Sequence, residues 1–285
     1  MKHTLWFLSF FFLLFAGDRA GGHFLQRMSD ASQFRYARLY RGEAAADVLL
    51  VGNSRGLTFY QPYIEEVTGL RTFNLSYNGL PMDVAKVLVL DYLDRHPPPR
   101  KMVLDITLCD RANPALTAGF LTYAHLSHRL DTLLRHQTPK VWRGGKLSAL
   151  FRLNNEIFQR ALYYRNRTDA DWLLDRTIAP ALVAEADSAS LQFDVHPALI
   201  QHLKETVAAA HAKGVAIELV ISPYFPNLTV RNLDALKNEI EQTTQLTVRD
   251  YRRALTNPSD FGDYAHPNKR GSAKYIDLLR GDGVL

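Results

Sequence analysis

The stretch that most constrains the fold is Val48–Gly56, VLLVGNSRG. Val48 to Val51 are apolar without a polar break. A strand with one wet face alternates, whereas an unbroken run ended by a turn is the pattern of a parallel strand buried on both faces. Such a strand needs helices above and below it, so the chain is expected to be α/β. Gly52 ends the strand, and Asn53, Ser54 and Arg55 fall where the chain turns toward a helix. A serine at that turn is lifted above the carboxyl edge of the sheet, where ligands bind in open α/β sheets. A serine after a strand is also a common helix cap. Ser54 therefore acquires chemical meaning only through a partner elsewhere in the chain.

The rest of the chain keeps a strand–helix rhythm. Gln61–Thr68 reads as a helix, with Pro62 near its start and Gly69 at its stop. Arg71–Leu75 is a second strand, Pro81–His96 a helix stopped by Pro97-Pro98-Pro99, and Lys101–Leu108 a third strand. Later come helix Pro197–Lys213, strand Val215–Ile221, helix Val230–Gln242, a short strand Leu246–Arg249 and a final helix Ser272–Arg280. This order predicts a flavodoxin-like three-layer α/β/α sandwich around a parallel five-stranded sheet. The domain is expected over 47–285, with a helical insertion at about 115–190 that has no clear strand. Within it, His125–Arg167 holds nine Lys and Arg against two acids, a local +7, interleaved with Trp142, Phe151, Phe158, Tyr163 and Tyr164. Two readings stay open for this segment. It is either a solvated cap whose aromatics pack on the sheet, or a lid or docking surface for an anionic glycan, membrane headgroups or a partner.

The partner for Ser54 lies near the far end, in Asp263–Gly271, DYAHPNKRG. Asp263 and His266 are three residues apart, so one turn lets both side chains face the same way. A serine nucleophile needs a base, and the base needs a group to orient it. Ser54, His266 and Asp263 are the right types in that order of roles.

Gly52-Asn53-Ser54 after the first strand, with a terminal D-x-x-H-P block, resembles the SGNH/GDSL hydrolase family. Asn53 stands where the family's first block has Asp. The resemblance spans most of Asp47–Leu279 and implies that Ser54 attacks an acyl ester with His266 as base and Asp263 as its orienter. In Asn74-Leu75-Ser76-Tyr77-Asn78-Gly79 it resembles the second block, which implies that Gly79 N–H joins Ser54 N–H in an oxyanion hole. The family's third block, G-x-N-D, is replaced by Cys109-Asp110-Arg111-Ala112-Asn113, so Asn113 is the implied third donor at an altered spacing. No cofactor or metal is implied.

Residues 1–20 are expected to be a signal peptide or signal anchor, and 21–46 a linker and short helix. Lys2 precedes Leu5–Ala16, a Phe- and Leu-rich run of twelve residues. That length suits a signal-peptide core better than a full span, yet no A-x-A site follows. Either form of export places the catalytic domain outside the cytoplasm, periplasmic or at the cell surface. Apolar content of 47% argues against disorder, and 285 residues bury a substantial core. Cys109 is the single cysteine, which excludes an intramolecular disulfide and Cys-based metal spacing. It ends an apolar strand and reads as a small core residue. A net charge of +5 is only mildly basic. The export signal and the lack of a nucleic-acid motif disfavour nucleic acid as partner.

An exported domain of this kind is similar to membrane-anchored proteins that add or remove O-acyl groups on cell-envelope polysaccharides, some working beside a membrane acyltransferase. The expected substrate is an acylated glycan or another acyl ester, with transfer to a sugar hydroxyl favoured over hydrolysis. The alternatives are a catalytically silent glycan-binding module and an anchored assembly protein on the same fold.

Overall fold

The computed structural model describes residues 2–168 and 174–285. Met1, the side chain of Lys2 and residues 169–173 of the expected insertion lie outside the described residues. The chain divides into two compact units, Met1–Glu43 with Pro114–Asp169, and Ala44–Asn113 with Ala170–Leu285.

The second unit is α/β. Its strands, in chain order, are β1 Val48–Val51, β2 Thr72–Asn74, β3 Lys101–Asp105, β4 Ser190–Gln192, β5 Ala216–Ile221, β6 Thr229–Arg231 and β7 Val248–Asp250. Five of them form one parallel sheet in the order β2-β1-β3-β5-β7. This is the flavodoxin-like order, with helices on both faces. All residues of β1 are buried, as its unbroken apolar run requires of the strand between β2 and β3. Val48 and Leu50 share a cluster with Val103 and Val220, covered by Ile64 of helix Gln61–Thr68 and by Tyr275, Ile276 and Leu279 of helix Lys269–Gly281. Side chains alternate across the strand, so Leu49 and Val51 serve the opposite face. Helices Met82–Arg95, Pro197–Ala212 and Leu233–Thr244 form the other layer.

The final helix starts at Lys269 and the last strand at Val248, each a few residues from the sequence reading, and two further boundaries depart from it for a visible reason. β3 stops at Asp105, and Ile106–Cys109 winds into a 3-10 turn instead of continuing the strand to Leu108. The cause is local, since Asp105 accepts the Thr107 N–H at 3.0 Å and so supplies a partner that a longer strand would have taken from a neighbour. The helix expected from Val230 starts at Leu233, because Thr229–Arg231 is extended and pairs with β4. These two strands are short and their outer residues exposed, so neither gives an apolar signal. Cys109 is fully buried and its thiol is pushed far up by burial.

The first unit is helical. Its N-terminal helix runs unbroken over Lys2–Asp30 and is long and apolar enough to cross a membrane. The sequence reading places a linker from Gly21 on. The glycines instead serve contact, since a Cβ on Gly22 would lie 2.4 Å from that of Ala149. Helices His128–Gln137, Pro139–Leu147, Ala149–Arg152 and Glu156–Tyr163 make up most of the rest. The interleaved aromatics divide between inside and outside. Phe158 and Tyr164 are buried, Tyr164 stacking on Phe34 at 5.9 Å, and Trp142 donates to Asp131 at 3.0 Å. Phe151 and Tyr163 are exposed. The buried ring Tyr164 thus finds its partner in the unit's own N-terminal segment, where the sequence reading offered the sheet.

Candidate active site

Ser54 sits three residues past the end of β1 with φ −57 and ψ −27, ahead of the 3-10 turn Arg55–Thr58. Its side chain makes no capping bond to that turn. The Arg55 N–H is taken instead by Asn53 Oδ1 at 3.0 Å. Asn53 thus does the capping and leaves the Ser54 hydroxyl for another partner. The turn is folded tightly against the segment that follows β2. A Cβ on Gly56 would come within 2.3 Å of Ser76 Oγ, so only glycine fits this crossing.

The partner is His266. Its Nε2 lies 2.9 Å from Ser54 Oγ, although the residues are 212 positions apart. Its Nδ1 lies 2.8 Å from Asp263 Oδ1 and 3.1 Å from Oδ2. The loop that carries them is closed at its base by an antiparallel bridge between Phe261 and Pro267, with the Gly262 N–H donating to the His266 carbonyl at 3.0 Å. Inside the loop, Asp263 Oδ1 accepts the N–H groups of Ala265 at 2.9 Å and His266 at 3.0 Å. Asn268 follows and caps helix Lys269–Gly281 through the Gly271 N–H. Burial pushes the Asp263 carboxyl up, but its bonds from the His266 ring and the two N–H groups outweigh this and hold it below the ordinary 3.8. It is therefore a carboxylate at neutral pH. A carboxylate on Nδ1 favours the tautomer with its proton there, which leaves Nε2 bare as an acceptor for the serine O–H.

Gly79 occupies a turn in which the Leu80 N–H donates to the Tyr77 carbonyl at 3.0 Å, and its φ is +70. The Tyr77 N–H reaches the Gly52 carbonyl at 3.3 Å, which ties this turn to the Ser54 turn. Asn113 Nδ2 donates to the Gly79 carbonyl at 3.0 Å. The altered third block therefore still brings an asparagine to Gly79, where it holds the peptide that the resemblance casts as an oxyanion donor.

Sequence reasoning missed Arg55. Its side chain is buried at 5% exposure. The guanidinium donates to the carbonyls of Ala265, Ser222 and Pro223, the last at 2.8 Å. Its Cζ sits over the Tyr224 ring, 3.4 Å from the centre, and its Nε lies 3.9 Å from Asp105 Oδ2. Asp105 in turn accepts from Ser222 and Thr107. One residue after Ser54, Arg55 thus grips the residue before His266 and the end of β5. Only the acid gives a sequence signal, since a carboxylate ending a buried strand requires a partner.

No protein-family model matches the chain, and no curated protein matches it. The chemical reading of the site rests on its own geometry.

Proposed function

We propose that the chain is a serine-dependent acyl-ester enzyme, acting outside the cytoplasm on an acylated cell-envelope glycan. The observation that carries this reading is the continuous chain from Ser54 Oγ through His266 to Asp263, at 2.9 and 2.8 Å. A serine hydroxyl is a poor nucleophile until a base within hydrogen-bond reach takes its proton. In the proposed cycle Ser54 Oγ attacks the ester carbonyl as His266 Nε2 takes its proton. Asp263 steadies the imidazolium. The N–H groups of Ser54 and Gly79 receive the developing oxyanion, with Asn113 holding the Gly79 peptide by its carbonyl. The intermediate expels the alcohol, which receives the proton from His266, and leaves an acyl group on Ser54. A sugar hydroxyl, or water, then attacks that ester by the same route and restores the serine.

Transfer and hydrolysis share the acyl-enzyme and differ only in the second acceptor. The resemblance to envelope O-acyl enzymes does not separate the two; transfer is favoured because the basic, aromatic segment His125–Arg167 suits a sugar acceptor, and the apolar N-terminal helix supports a membrane-attached, extracytoplasmic site with a membrane acyltransferase as a natural partner. Fluorophosphonate labelling tests the core of the reading. The probe should modify Ser54, and Ser54→Ala should lose the label. A folded protein that ignores the probe yet binds glycan would instead be a silent module.

A further inference from the structure

The helical unit exposes large apolar side chains in one corner, where helices Pro139–Leu147 and Ala149–Arg152 meet. Leu147 is 78% exposed, Phe151 46% and Leu150 41%. From Pro139 to Arg152 the sequence carries Lys140, Arg143, Lys146 and Arg152 and no acid.

The N-terminal helix fixes where this corner lies along its own axis. Asp18 Oδ1 accepts the Ser148 hydroxyl at 2.5 Å and the Leu150 N–H at 3.1 Å, and Oδ2 accepts the Ala149 N–H at 2.8 Å. Arg19 donates to the Leu147 carbonyl at 2.8 Å. Gly21 and Gly22 face Leu150 and Ala149. The corner therefore sits at the level of Asp18–Gly22. Before that level the helix is bare, with every side chain from His3 to Phe15 exposed.

Length then decides the depth. At ~1.5 Å per residue the apolar run Leu5–Ala16 covers roughly 18 Å, against about 30 Å of bilayer hydrocarbon. Crossing it takes about 20 residues, which from His3 reaches Gly22. A helix that spans therefore brings the corner to the bilayer surface. The two charged side chains that the helix carries at that level are already partnered. Asp18 is spent on the Ser148–Leu150 donors, and Arg19 on Leu147 and on the Phe15 ring at 4.8 Å. Satisfied polar groups are the condition for entering lipid. Apolar side chains on a segment that also exposes Lys140 and Arg143 suit the boundary between acyl chains and anionic headgroups, Lys146 being paired with Asp131 at 3.0 Å.

We propose that the corner Pro139–Arg152 is a membrane seat, with Leu147, Leu150 and Phe151 inserted into the interface of an anionic phospholipid bilayer beside the N-terminal helix. This rests on the reading of that helix as a membrane anchor. The seat makes the helix part of the folded unit and fixes the height of the helical unit above the lipid.

The test uses the full chain in vesicles of phosphatidylglycerol and phosphatidylcholine. Spin labels are placed at Leu147→Cys, Phe151→Cys and, as control, Arg165→Cys. Arg165 is exposed and follows Tyr164, whose carbonyl takes the Gln33 N–H, beyond the C-terminal end of the helix. The native Cys109 is buried and stays unlabelled. The protein should float with the vesicles after carbonate extraction. Labels at 147 and 151 should be several-fold more accessible to dissolved oxygen, and less to an aqueous nickel chelate, than the label at 165. Their immersion should decrease when phosphatidylglycerol is omitted. Flotation with all three labels equally aqueous would overturn the seat and leave the anchor standing. Failure to float would overturn both, and immersion indifferent to phosphatidylglycerol would overturn the headgroup part.

Discussion

The α/β unit and the helical unit handle their apolar residues in opposite ways. In the first, Val48–Val51 are buried on both faces, and the turn that follows spends its polar side chains on named partners. In the second, the N-terminal helix leaves every side chain from His3 to Phe15 bare, and Leu147 and Phe151 stay exposed. One unit buries its apolar runs, and the carboxyl edge of its sheet carries the Ser54 hydroxyl within 2.9 Å of His266. The other partners Asp18 and Arg19 of its long helix but leaves large apolar side chains bare, as the proposed membrane seat requires. The proposed chemistry and the proposed membrane seat thus fall in separate parts of the chain, and variants in each should give separable effects.

The largest effect should come from the α/β unit. Ser54→Ala or His266→Ala should each lower ester turnover by on the order of 10⁶-fold, and the double variant should be no worse, because the residues act as a unit. Additive losses in steady-state assays would break the claim that they are one device. Asp263→Asn should cost less, on the order of 10⁴-fold, through loss of the preferred tautomer. The same kinetic assay across pH checks its ionisation. Asp263 is held below 3.8, so it contributes stability that is fully present above that value and lost as pH falls through the lower folded value. No acid limb arising from Asp263 should appear above pH 4.

Arg55→Ala should destabilise the α/β unit by about 3–5 kcal/mol, since it leaves Asp105 buried without its cation. Arg55→Lys keeps the charge but not the fork that reaches three carbonyls. It should therefore recover part of the stability in denaturant titration while kcat stays low, as expected if Arg55 positions the His266 loop. Full recovery of kcat by lysine would reduce Arg55 to a structural ion. The smallest effect belongs to the helical unit. Asp18→Ala should cost about 1.5–3 kcal/mol there, the worth of hydrogen bonds to a charged group. Hydrogen exchange at Ala149 and Leu150 should speed up, with turnover of a small soluble ester unchanged.

The sequence was most readable where interactions are local or patterned. β1 announces itself because a doubly buried strand has no polar residue to interrupt it. Asp263 and His266 announce each other because they are three residues apart in one loop. Arg55 and Asp105 were illegible as a pair, because fifty residues separate them and only the adjacency of β1 and β3 brings their strand ends together. The helix through Gly21–Gly22 was illegible for the opposite reason. Two glycines look like a hinge until Ala149 is seen against them.

The proposed mechanism passes through an acyl group on Ser54. Peptide mass spectrometry after brief exposure to an activated acetyl ester detects it directly. One acetyl group should appear on the peptide containing Ser54, absent in His266→Ala and discharged faster when a saccharide acceptor is added. An unmodified Ser54, or acetylation that proceeds equally in His266→Ala, would contradict it.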